Sequence, residues 1–175
     1  MVMNGKSKKH RSRHSAGFGK RMEFVIIAEM LSEGLDVYTP LIDDNGIDAV
    51  VRKTDGSFVE IQIKTRSKDI NPGDEALFSA ITHEYRPNYW FIFRSEGIKD
   101  PSGKSTTWIL SSKEFIKEAI QNKSGKNIGK RSLWFNEKRS GVSYAKERYE
   151  KYRVKYEIGD SLSSRLLNEN PDECE

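Results

Sequence analysis

The sequence predicts an α/β fold, a central mixed β-sheet flanked by helices. Three observations carry this. A helical segment ending at Gly34 is followed by short segments that alternate apolar and polar residues. The run Tyr89–Arg94 (YWFIFR) is almost wholly apolar, as in a central strand covered on both faces. The stretch Ser111-Ser112-Lys113-Glu114 then has the pattern of a helix N-cap with its returning glutamate.

Taken in order, residues 1–15 lack hydrophobic periodicity and are expected to form a disordered basic arm. A helix is expected from about Ser15–Gly19 to Ser32 or Glu33, stopped by Gly34, because glycine accepts the left-handed turn after a helix. Leu35–Thr39 reads as a strand closed by Pro40, and Ile47–Arg52 as a second. Thr54-Asp55-Gly56 is a hairpin signal leading into Phe58–Thr65, whose Ile61 and Ile63 face one way and whose Glu60, Gln62 and Lys64 face the other. Asp74–Glu84 is expected to be a short helix. Tyr89–Arg94 and Thr106–Leu110 are strands, Ser132–Asn136 an edge strand and Val142–Tyr152 a last helix. The chain from Asp160 is expected to be loose, which gives one domain over 16–156 between the arm and an acidic tail at 157–175.

The longest unbroken apolar run, Phe24–Ala28, is far shorter than the ~20 residues of a membrane-spanning helix. The basic, polar start shows no secretory h-region, and the single Cys174 cannot make an internal disulfide. A cytoplasmic protein without a membrane partner is expected. The net charge of +4 is unevenly spread. Residues 1–21 carry seven basic side chains and no acid, residues 22–103 carry 8 basic and 15 acidic, and residues 104–155 carry 14 basic and 5 acidic. An acidic centre between basic flanks suits a chain that holds a cation in its middle and a polyanion at its edges; an unevenly charged, solvated surface is the plain alternative.

The chemistry concentrates in G-I-D-A-V-V at 46–51 and V-E-I-Q-I-K at 59–64. A hairpin can set Asp48 beside Gln62, with Glu60 and Lys64 on the same strand face. Polar residues on one strand face are common on a wetted sheet. A lone aspartate inside I-D-A-V-V is harder to explain, because burying a carboxylate is costly unless it meets a cation or a donor. A carboxylate, an amide oxygen and a lysine together suit phosphodiester hydrolysis assisted by a hard ion such as Mg²⁺.

This arrangement resembles the PD-(D/E)XK nuclease superfamily, the restriction-endonuclease-like fold that includes archaeal Holliday-junction resolvases. Asp48 and Gln62-Ile63-Lys64 match its core motif, and Gly19-Lys20-Arg21-Met22-Glu23 with Gly34 matches the opening helix of resolvase-like members. The resemblance implies a restriction-endonuclease-like sheet, with Asp48 as metal carboxylate, Gln62 in the second acidic position, the Ile63 carbonyl as a further ligand, Lys64 as catalytic lysine and Glu23 reaching in from the first helix. Gln62 departs from the usual Asp or Glu. Mrr-like restriction enzymes and some homing endonucleases also carry Q-x-K, and here Glu60 or Glu23 is expected to restore the missing charge. Glu29 is out of step with the family pattern. An exposed first-turn acid is the alternative for Glu23.

The implied function is a Mg²⁺- (or Mn²⁺-) dependent DNA endonuclease, expected to work as a homodimer, with DNA backbone held by Lys8, Lys9, Arg11, Arg13, Lys20, Arg21, Arg66, Lys126, Lys130 and Arg131. The alternatives are an inactive DNA-binding module on the same fold and a protein-interaction domain. Gly103-Lys104-Ser105 lacks the spacing and following helix of a phosphate loop. His10 and His14 are expected to touch nucleic acid rather than zinc, and Trp90, Trp108 and Trp134 to pack in the core.

Overall fold

The computed structural model describes residues 8–42 and 45–168, with side chains described between Ala16 and Leu167. Helix α1 spans Lys8–Ser32, and Gly34 (φ 84°) turns the chain out of it. Then come β1 (Asp36–Tyr38), β2 (Ala49–Arg52), β3 (Phe58–Arg66), β4 (Leu77–Ile81), β5 (Tyr89–Lys99) and β6 (Ser105–Ser111). The remainder is α2 (Ser112–Glu118), β7 (Ile120–Gln121), β8 (Arg131–Trp134), β9 (Asn136–Arg139), β10 (Val142–Ala145) and α3 (Leu162–Asn168).

The main sheet has the order β1-β2-β3-β5-β6, parallel only between β3 and β5. The apolar alternation of β3 divides the core. Ile61 and Ile63 face α1 and α3, packing with Ile26, Met30, Ile92 and Leu166. The opposite face of the sheet carries Phe91, Phe93 and Leu110, which pack against Phe115 of α2 and against Phe78 and Leu133 of a three-stranded sheet ordered β4-β8-β7. β5 is therefore buried on both faces, as its composition requires. Ser111 caps α2 in a reciprocal capping box with Glu114, as the sequence pattern indicates.

Several expectations are corrected. Residues 8–15 continue α1 rather than forming an irregular arm; lysine and arginine are good helix formers, and periodicity reports only a buried face. Residues 1–7 lie outside the description. Residues 74–84 contain strand β4, because Phe78 and Ile81 pair with β8 and bury, overriding local propensity. Ser132–Asn136 overlaps β8, which is the central strand of its sheet and not an edge. Residues 142–152 are not a helix. Ser140 (φ 49°) and Gly141 (φ 83°) make a tight turn that folds β10 back on β9, and a 3₁₀ segment, Glu147–Tyr152, follows. The stretch after Asp160 is not loose as far as residue 168, since Leu162 and Leu166 of α3 are fully buried. Trp90 and Trp108 are core residues, whereas Trp134 is half exposed, its indole N–H donating to Asn136 Oδ1 at 2.8 Å.

One ion pair fastens α1 to the sheet. Arg94 of β5, buried, donates to both carboxylate oxygens of Glu29 at 2.8 and 2.5 Å, to Thr107 Oγ1 at 2.9 Å and to Tyr156 Oη at 3.2 Å. Burial works against the charge, and the Glu29 hydrogen bonds outweigh it, so Arg94 titrates above its ordinary value. Glu29 thus has a structural role, in keeping with its poor fit to the catalytic pattern. Glu29→Ala strands a buried guanidinium and is expected to lower stability by about 2–3 kcal/mol in urea denaturation. An unchanged midpoint would show that the pair contributes nothing net.

Candidate active site at the open edge of strand β3

The site originates in a mismatch of strand lengths. β2 pairs with β3 only from Ala49↔Ile61 to Arg52↔Phe58, while β3 continues to Arg66. Beyond Ile61 the β2-side edge of β3 has no strand partner among the described residues. The backbone groups of one strand residue point to the same side. Ile61 directs its carbonyl toward β2, where it accepts from Asp48 N–H at 2.8 Å, so Ile63, two residues on, directs both its N–H and its carbonyl to that open side. The Ile63 N–H is satisfied by Asp48 Oδ2 at 2.7 Å. The carboxylate therefore stands beside the Ile63 carbonyl, fixed by a charge-assisted bond.

The ladder ends at Ala49↔Ile61, and Asp48, the residue before β2, breaks its register: its N–H goes to the Ile61 carbonyl and its carboxylate to the Ile63 N–H. Gln62, Lys64 and Arg66 line a groove of ≈ 350 Å³ between β3 and β4, closed on the far side by Phe78, Ser79, Ala80 and Thr82. Asp48 is not among the residues that line this groove.

The loop before Asp48 is held by residues the sequence reading did not single out. Arg86 donates to Asn45 O at 3.1 Å and to Glu60 Oε2 at 2.5 Å, with its guanidinium 4.5 Å from the Tyr89 ring centroid. Tyr89 Oη donates to Gly46 O at 2.7 Å. Gly46 has φ 69°, and a side chain there would collide with the Gln62 amide. Glycine is thus needed twice over, for the backbone angle and for the close approach of Gln62. The only sequence signal was the glycine of G-I-D; nothing near Arg86 or Tyr89 marks them as its partners.

Glu60 shares the polar face of β3, but its carboxylate is committed to Arg86. Glu23 lies on α1, which packs on the Ile61/Ile63 face, opposite to Gln62 and Lys64. Its carboxylate is 2.7 Å from Lys20 Nζ. Among the described residues no three His, Cys, Asp or Glu side chains form a metal-binding group. Asp43 and Asp44, just before Asn45, lie outside the described residues. The oxygen-bearing groups this segment offers are the Asp48 carboxylate beside the Ile63 backbone and, on the groove face of β3, the Gln62 amide. All can offer oxygen, which fits a hard divalent ion that keeps several of its waters.

The basic residues separate by position. Arg21 and Lys126 are exposed, and Lys130 is half-buried. Arg131 turns inward, donating to Ile116 O at 3.4 Å near the end of α2. Lys8, Lys9, Arg11 and Arg13 have helical backbone, and their side chains lie outside the description.

A bacterial homing endonuclease, I-Ssp6803I, has a similar fold: TM-score 0.51 at 17% identity, covering 80% of this chain and 88% of that one. No protein-family model and no curated protein matches the sequence. The mixed sheet with flanking helices is thus similar to that of a nuclease.

Beside Arg86, His83 packs against Tyr89, Phe91 and Phe115. Its Nε2 lies 2.7 Å from Ser112 Oγ, which also accepts the Arg86 N–H at 2.9 Å. Burial first, then Arg86 and Arg131, push the imidazole down to about 4. An unfolded histidine titrates near 6.5. The group therefore contributes stability that is complete above about pH 6.5 and is lost as pH falls toward 4. Urea denaturation between pH 6.5 and 5, above the range of ordinary carboxylates, is expected to show a decline that His83→Gln flattens. Equal slopes for the two proteins would remove His83 as its cause.

Proposed function

We propose that the protein is a metal-dependent DNA endonuclease. The observation that carries this reading is the Asp48 carboxylate, bonded to Ile63 N–H on an open strand edge, with Gln62 and Lys64 projecting from the same three-residue segment into a groove. The fold likeness to a homing endonuclease supports the nuclease class; the residue roles rest on the geometry.

Asp48, the Ile63 carbonyl and the Gln62 amide oxygen are the groups that would hold a Mg²⁺ or Mn²⁺ ion. Such an ion, when bound, withdraws charge from a phosphoryl oxygen and acidifies water. The chain's own work is then clear. Asp48 is held in place by the Ile63 N–H, so its carboxylate needs no reorganisation. Lys64, with no carboxylate partner among the described residues, keeps its ammonium available to orient water and to offset charge developing on the phosphate. Gln62 contributes an oxygen without a charge, so the site is less negative than one with a second carboxylate. That suits a polyanionic substrate and weakens the hold on a cation. The basic stretches at 1–21 and 123–139 supply sequence-independent grip on the DNA backbone, and a second copy of the chain would serve the opposite strand.

One observation favours a second reading, a DNA-binding module without catalysis: no three carboxylate or histidine side chains converge among the described residues. Supercoiled plasmid and branched DNA, incubated with and without Mg²⁺ or Mn²⁺, separate the two. Metal-dependent nicking that drops at least about 100-fold in Lys64→Ala is expected. Binding without cutting under every condition would establish the module instead.

A further inference from the structure

Arg66 is two residues beyond Lys64 on the same face of β3, and both line the groove against β4. No ion pair engages either cation among the described residues. The Arg66 Nε is buried and lacks a hydrogen-bond partner. A buried cationic donor left unmatched is costly, and guanidinium geometry fits a tetrahedral oxyanion with two parallel hydrogen bonds. The facing wall is open and polar. Ser79 and Thr82 are exposed, and the register of β4 shifts between Phe78 and Ile81, where Ala80 takes φ 60°. A non-glycine residue held there costs of order 1 kcal/mol. The bulge bends β4 at the groove, so that strand pairing does not fill the space beside Arg66.

The Cα atoms of residues 64 and 66 are separated by about 6.6 Å, two strand steps. That is of the order of one nucleotide step along a single strand. We propose that Arg66 binds the phosphate adjacent to the one that Lys64 attends, so that the cut strand runs along β3 in a fixed direction. This rests on the endonuclease reading and adds a polarity to it: one flanking phosphate is gripped and the other is not. Arg66 is here a positioning residue, acting on the register of the strand and not on the reacting atoms.

The test is a binding experiment in EDTA, so it needs no cleavage. DNA duplexes carrying a single neutral methylphosphonate are scanned through the contacted linkages, for wild type, Arg66→Ala and Arg66→Gln, with the salt dependence of affinity measured for each. Wild type is expected to lose about tenfold at a specific linkage, and both variants to lose about tenfold on unmodified DNA. Neither variant should lose anything more at that linkage, and the log–log salt slope should fall by about 0.9. A merely structural role would not move the slope or silence a single linkage. Variants whose scan and slope match wild type overturn the inference and leave the endonuclease reading intact. A wild-type protein that neither binds nor cuts DNA overturns both.

Discussion

The hydrogen bond from Ile63 N–H to the Asp48 carboxylate is the constraint on which the candidate site depends. It exists because β2 stops pairing opposite Ile61 while β3 runs on to Arg66. An unpaired N–H on a strand edge must find an acceptor. Here the acceptor is an ionised side chain rather than water, which fixes both the carboxylate and the direction of the adjacent carbonyl. Had β2 begun two residues earlier, its backbone would have satisfied Ile63 and left no edge for a ligand.

The two faces of β3 divide the labour. One face, Ile61 and Ile63, is consumed by the core under α1 and α3, which makes the strand rigid. The other, Gln62, Lys64 and Arg66, is kept from the core by the groove against β4. Around this rigid strand, Arg86 and Tyr89 fasten the loop at Asn45 and Gly46, while Gly46 leaves room for the Gln62 amide. The Arg94–Glu29 pair performs a comparable service between α1 and β5. In both cases an arginine from the middle of the chain sets the geometry of an earlier segment.

Much of the main sheet was legible in the sequence, because its strands have strong period-two alternation or, for Tyr89–Arg94, unbroken apolar character. The β2–β3 hairpin itself followed from a recognisable turn at Thr54–Gly56. The second half was less legible. β4 is short and bulged, so its alternation fails at Ala80, and β9–β10 depends on a Ser140-Gly141 turn inside a charged stretch. The network around Arg86 was invisible for a different reason. Its partners, Glu60, Asn45 and Ser112, are 26 to 41 residues away, and no local pattern links them. Glu60 shows the same limit. Strand parity places it on the same face as Gln62 and Lys64, but only the fold reveals its ion pair with Arg86.

The central claim is that Asp48, held on the Ile63 N–H, provides the carboxylate of a divalent-cation site. The most direct measurement is a Mn²⁺ titration by electron paramagnetic resonance on DNA complexes of Lys64→Ala, which leave the substrate uncut. The account predicts one bound Mn²⁺ per chain, lost when Asp48→Asn is added. Binding of equal strength with and without that carboxylate, or no bound ion in either protein, would contradict it.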